Sequence, residues 1–380
     1  MTDPAIDYHA DQADQADLIA WLQVTMLPGI GPRILSELLD RFETPQRILT
    51  ASNQDLLSVS GVGEKLAGRI GHADQHVAAE AIIQWCQKQN VAIVMRSQSE
   101  YPRSLRELPD APPLVFVRGE VLPCDGLAVA IVGSRHATAY GGKQAEQIAY
   151  GLARAGVTIV SGLARGIDSA AHQGALNADG RTLAVLGGGL AKFYPPENIP
   201  LAKQIVAAGA VLSEYRPDAS PKAGMFPQRN RLISGLSMAV LVIEAADRSG
   251  ALITARLASE QGREVLALPG NVNSRMSAGC LALIRDGAIL VRHADDVLEA
   301  LGPAVDSIPT NSGHTIRNGA ELLLNDQERA VLEAVQTEAT SIDTVIAHSG
   351  LPVQRVLATM SVLESRKLVR RLSGQFVCRV

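Results

Sequence analysis

The chain has 380 residues, 47% of them hydrophobic and 19% charged, with a formal net charge of −4. That length allows two to four domains and one sizeable core. The composition is that of a globular protein, not a fibrous or low-complexity one, and the net charge excludes a uniformly basic nucleic-acid binder while allowing a local basic cleft. Aromatic residues make up only 3%, so few rings are on hand for stacking on bases. Cys86, Cys124, Cys280 and Cys378 are scattered with no CxxC spacing. They read as reduced thiols in a cytoplasmic protein, with no zinc site. The opening "MTDPAIDYHADQADQADLIA" is acidic and has neither the basic nor the apolar region of a signal peptide. No apolar run approaches the ~18 residues of a membrane span.

Residues 1–16 are polar and are expected to be a disordered tail. A helical domain is expected over 17–90. Within it "LPGIGPRIL" (27–35) and "VSGVGEKLAGRI" (59–70) share a glycine turn followed by a helix. This pair is similar to the helix-hairpin-helix unit, whose turn presents backbone N–H groups to a DNA phosphate. It could equally be a structural hairpin that needs its glycines for backbone angles. A proline-rich link follows at 101–120, with one strand-like run, Leu114 to Val117.

Residues 126–300 alternate strand and helix signals. Strands are expected at 127–133, 156–162, 182–188, 210–214, 239–245, 264–270 and 288–291. Helices are expected near 142–155, 167–178, 198–208, 251–261 and 279–286. Apolar runs this continuous suit strands buried on both faces. The order predicts an α/β, doubly wound, mostly parallel sheet with ligands beyond the C-terminal strand ends. Residues 301–319 read as a linker. The segment 320–380 has three short helices and a terminal strand pair, the outline of a winged helix or of a small protein-interaction module.

The strand ends carry Gly, Ser, Arg or Asn: "VGSRHAT", "SGLARGID", "LGGGLAKFYPPEN", "MFPQRNRLISGLS" and "ADRSGALITA". Glycines let a backbone approach an anion closely. Arg135, Arg165, Lys222, Arg229 and Arg231 would supply positive charge. No GxxxxGK[ST] loop is present, and the first turn is not GxGxxG. A P-loop nucleotide site and an NAD site are therefore disfavoured, and no cofactor is expected. Asp168, His172, Glu197, Glu214 and Glu244 lie near strand ends. They are either catalytic carboxylates and a base, or braces for arginines and loop amides. Phe226 is the one aromatic set to stack on a base; otherwise it plugs the core beneath its loop.

The motifs "AIVGSRHATAYG", "SGLARGIDSAAHQGAL", "AVLGGGLAKFYPPENIPL", "MFPQRNRLISGLS", "VIEAADRSGALITARLASEQGREVLALPG" and "LIRDGA" stand in one order. In this the chain resembles the DprA/Smf family of natural transformation, strongly over about residues 100–291. The resemblance implies an extended Rossmann fold over 91–300, between a SAM-like or helix-hairpin-helix domain and a winged-helix domain. It implies single-stranded DNA binding, protection of incoming DNA, RecA loading, homodimerisation and no enzymatic activity. The implied DNA contacts begin at the first turn, Gly133, Ser134 and Arg135. They continue through Ser161, Gly162, Ala164, Arg165 and Gly166. Lys222, Phe226, Arg229, Asn230 and Arg231 follow, then Ser249, Gly250 and Thr254. Two positions depart from the family pattern: Leu281 stands where a polar residue is usual, and Ala191 with Lys192 where an aspartate is usual.

Two other functions compete. One is a nucleotide phosphoribohydrolase of the lysine-decarboxylase-like Rossmann group, for which Glu244 and Arg135 would be essential. The other is a regulatory protein whose terminal domains hold partners over a vestigial cleft.

Overall fold

The computed structural model describes residues 12–71, 76–301, 308–309, 315–316, 319–372 and 374–380. The chain divides into two compact units. One comprises residues 1–120, 186–194 and 211–229; the other comprises 121–185, 195–210 and 230–380.

The first unit opens with helix Gln12–Met26. The tail expected over 1–16 is thus shortened: residues 12–16 are helical, and residues 1–11 lie outside the described residues. The near-repeat in the sequence is a structural repeat. Ile30 donates to the Leu27 carbonyl and Val62 to that of Val59, both at 3.1 Å. Leu35 donates to Gly31 and Ala67 to Gly63, at 2.9 and 3.0 Å. Each turn lies against the other's helix: Gly29 beside Leu66, Gly61 beside Ile34. The shared core includes Leu27, Leu35, Leu38, Ile48, Leu56, Val59, Leu66 and Ile70.

Strand β1 (Val91–Met95) pairs antiparallel with β2 (Leu114–Gly119). The sequence reading gave β2 and missed β1. Its five residues follow directly on helix His76–Lys88, so its apolar run blends into the helical pattern. Buried Tyr101 ties the connecting segment down by donating its hydroxyl to the Pro112 carbonyl, 2.8 Å.

The second unit is built on parallel strands: β3 (Ala128–Val132), β4 (Thr158–Ser161), β5 (Thr182–Val185), β7 (Ala239–Val242), β8 (Glu264–Ala267) and β9 (Ile289–Leu290). Their order is β5-β4-β3-β7-β8-β9; β6 spans Ala210–Ser213. Every residue of β3 is buried, which is why its sequence runs apolar without alternation. Val129, Ile131, Ile159, Leu241 and Leu266 face a core closed by helices Ala139–Arg154, Ile167–Asn177 and Ala294–Leu301. Helix Gly250–Glu260 follows β7 and packs on β7 and β8.

Most of the expected linker, 301–319, lies outside the described residues. Ile308–Pro309 and Thr315–Ile316 pair antiparallel, and Ile316 joins the core of the second unit. Helices Asp326–Glu333, Ile342–Ser349 and Val353–Ser365 then pack with a three-stranded sheet. In that sheet Phe376–Arg379 lies between Thr340–Ser341 and Val369–Arg371, the helix-and-hairpin outline of a winged helix.

Candidate nucleic-acid interface

In a parallel sheet each strand hands over to a helix at one edge, so the connecting turns collect there. The turn after β3 sits at the centre of that edge in the second unit. Ser134 donates to the Glu244 carbonyl beyond β7, 2.8 Å, and its own carbonyl accepts from Ile167 beyond β4, 3.2 Å. Gly166 closes the packing. Its φ is +76°, and a Cβ there would lie 2.3 Å from the Ser134 carbonyl oxygen. A side chain at 166 would break both the backbone angle and the approach.

The exposed cations of this edge are Arg135 in the β3 turn, Arg165 in the β4 turn, Arg248 after β7 and Arg275 after β8. The sequence reading named the first two. It missed Arg248 and Arg275 although it quoted the Asp-Arg-Ser-Gly run. The signal was there: each arginine falls in the segment directly after an apolar strand. Arg165 forms an ion pair with Glu197, whose carboxyl is held below its ordinary range by that donated hydrogen bond.

Several expected contacts point inward. Ser161 is fully buried and donates its hydroxyl to the Ile131 carbonyl, 2.6 Å. The N–H groups of Gly162 and Ala164 donate to the buried Asp168 carboxylate at 3.1 and 3.3 Å, so they are aimed at a protein anion. Thr254 is buried within helix Gly250–Glu260. Gly250 is exposed at that helix's start, where Ser249 caps the Ala251 N–H, 3.2 Å. Asn230 donates to the Gly250 carbonyl, 3.3 Å, and Arg231 is 5% exposed. Gly133 is half-buried, with no room for a Cβ against Ile167.

The carboxylates act as braces. Glu244 is buried and accepts from the Thr138 N–H, 2.9 Å, and from the Thr138 hydroxyl. It thereby fixes the N-cap of helix Ala139–Arg154. His172 is fully buried. Its Nδ1 lies 2.7 Å from the Thr182 hydroxyl, which itself donates to the Ile159 carbonyl; Nδ1 therefore carries the proton.

In the first unit, Lys222 is exposed ahead of helix Met225–Gly235, a helix the sequence reading took as loop. Arg229 is 3% exposed on that helix. Phe226 is half-buried; it packs against Gly187 and stands 5.9 Å, centroid to centroid, from the exposed Tyr194 ring. The Gly187–Gly189 run, one of the glycine-bearing strand ends, is buried. A Cβ on Gly187 would meet Phe226 at 2.7 Å, and one on Gly189 would meet the Pro217 carbonyl oxygen at 2.2 Å. Protein fills the space those glycines leave. Ala191 and Lys192 are exposed, so the departure from the family pattern places a cation at that surface.

The chain matches the family described as DNA recombination-mediator protein A over residues 92–302. It belongs to the DprA/Smf family. The DprA winged-helix domain matches residues 317–375, and a SAM-like helix-hairpin-helix tandem matches 22–70. Among DprA/Smf relatives, Protein Smf of Synechocystis is 36% identical, over 95% of this chain and 98% of its own. The DNA processing protein DprA of Bacillus subtilis is 40% identical over 56% and 72%. The solved DprA of Streptococcus pneumoniae superposes with a TM-score of 0.63 at 35% identity, covering 74% of this chain and 96% of that one. DprA from Helicobacter pylori, solved for its single-stranded DNA binding mode, gives 0.51 at 31%, covering 56% and 95%. The DprA/Smf core of this chain therefore includes the whole edge at which Arg135, Arg165, Arg248 and Arg275 collect.

Proposed function

We propose that this chain binds single-stranded DNA along the C-terminal edge of its parallel sheet, protects incoming DNA there and loads RecA onto it during transformation. The observation that carries the reading is the row of exposed arginines at successive strand ends. A mononucleotide needs one phosphate loop; a strand needs cations spaced along a path. The single-stranded DNA bound by the Helicobacter pylori relative supports the same reading. DNA is held without covalent chemistry, because the buried carboxylates at this edge are committed to bracing. The working division is a helix-hairpin-helix domain at 17–90, a Rossmann core at 91–300 and a winged helix at 320–380. The protein acts in the cytoplasm as a homodimer. The edge strand β9 supports the last point: Ile289 and Leu290 are 39% and 45% exposed on a strand paired on one side only.

Titration of a labelled thymidine oligonucleotide against the full chain tests the reading. Binding should weaken with salt, with a log–log slope of roughly −0.7 per phosphate contacted. Equal-length duplex and AMP should compete poorly, and a RecA filament assay should nucleate faster in the presence of the protein. Salt-independent binding, or displacement by AMP, would contradict it.

A further inference from the structure

The chain has two Trp, six Tyr and five Phe. Among the described residues only four of these rings are exposed: Tyr140, Tyr150, Tyr194 and Phe376. Two of the four share one helix. On Ala139–Arg154 the buried face is Gly141, Ala145, Ile148, Ala149 and Leu152. The opposite face, at alternating spacings of three and four residues, is Tyr140, Lys143, Gln147, Tyr150 and Arg154, all exposed apart from the half-buried neighbours between them. Such spacing puts the five in one solvent-facing stripe.

The stripe starts at the arginine-bearing edge. Tyr140 is the second residue of the helix, and helical side chains lean toward the N-terminus, here toward the turn that carries Arg135. Its backbone is pinned on both sides. Thr138 is held by Glu244, and a Cβ on Gly141 would lie 2.3 Å from the same carboxyl group. Tyr150 stands ten residues on, about 15 Å along the axis. The stripe holds no carboxylate. The helix's one acid, Glu146, is half-buried beside it and accepts from Asn177, 2.8 Å. Lys143 has no ion pair among the described residues. Arg154, at the far end, lies 3.6 Å from Asp326.

We infer that this helix face is a track for single-stranded DNA leaving the arginine edge, with Tyr140 and Tyr150 as stacking platforms for unpaired bases and Lys143 between them on the backbone. The inference rests on the single-strand reading above and extends it. Interleaved rings and cations are what a sequence-tolerant single-strand surface requires, because every base offers a face to stack and duplex bases do not. Of the aromatic residues in the second unit, these are placed where a strand continuing past Arg135 would meet them, whereas the ring singled out from sequence, Phe226, is half-committed to packing on Gly187.

The test uses the full chain with Tyr140→Leu, Tyr150→Leu and the matching Tyr→Phe variants. Probes are labelled thymidine oligonucleotides of about six and about twenty nucleotides, lengths spanning a small single-strand site. In the wild type the long probe should bind tighter than the short one. Each leucine variant should lose that advantage by roughly fivefold or more, and each phenylalanine variant should keep it. Tyrosine fluorescence should be quenched by the long probe in the wild type and less so in the leucine variants. If the leucine variants keep the wild-type advantage, or phenylalanine fails as badly as leucine, the track is wrong while the edge stands. If wild type binds neither probe, or Arg135→Ala binds the short probe as wild type does, the edge reading itself fails and the track falls with it.

Discussion

Glu244 shows how one residue decides between two functions for the same fold. As a hydrolase acid it would need an open carboxylate. Instead both oxygens accept from Thr138, and Gly141 packs against the carboxyl group. Glu244→Ala should therefore destabilise the protein by about 2–4 kcal/mol in urea unfolding, as expected when a buried charge-assisted pair of hydrogen bonds is lost. An unchanged midpoint would free the residue for another role. Gly166→Ala should cost about 2–3 kcal/mol and weaken oligonucleotide binding, since its positive φ and its approach to Ser134 both exclude a side chain. The thiols of Cys86 and Cys280 are pushed up to about 12, mainly by burial. A thiol pKa raised on folding stabilises fully below the unfolded value of 9.0 and progressively less as pH climbs from there toward 12. Both cysteines should resist alkylation at pH 8 until the chain is unfolded by urea, which mass spectrometry of the labelled peptides would read.

At the scale of elements the sequence was legible wherever a continuous apolar run met a glycine. The strands β3 to β9 fall inside their expected ranges: β3 to β7 because burial on both faces leaves only one pattern, and the more exposed β8 and β9 because a short apolar run follows Gly262 and Gly287. Strand β1 and helix Met225–Gly235 escaped for opposite reasons. The first is a five-residue apolar run following straight on a helix; the second is polar and arginine-rich, with a proline two residues in. At the site, glycine and arginine marked the right loops but not the right atoms. Which amide meets a carboxylate, as Gly162 meets Asp168, depends on tertiary approach that no spacing encodes. Arg248 and Arg275 had no local mark beyond their position after a strand. Asn325 gives the winged helix a reciprocal cap with Glu328, bonds of 2.9 and 3.0 Å. Asn325→Ala should cost about 1 kcal/mol in thermal unfolding without altering oligonucleotide affinity.

Across the whole molecule the charge is negative while the edge is positive. Affinity must therefore come from a local field rather than from overall attraction, and a dimer would raise it by presenting two edges at once. Leu290→Arg, placed on the open side of β9, should give a monomer in analytical ultracentrifugation and a weaker grip on long single strands. The third helix of the winged domain, Val353–Ser365, exposes Val353, Leu357 and Val362, and its one arginine, Arg355, donates to Gln327, 3.1 Å. The central claim is tested most directly by fluorescence anisotropy of one labelled thymidine oligonucleotide with wild type, Arg135→Ala and Arg248→Ala at two salt concentrations. The account predicts about a tenfold loss of affinity for each substitution and a salt slope smaller by roughly 0.7. Wild-type affinity and an unchanged slope in both variants would contradict it.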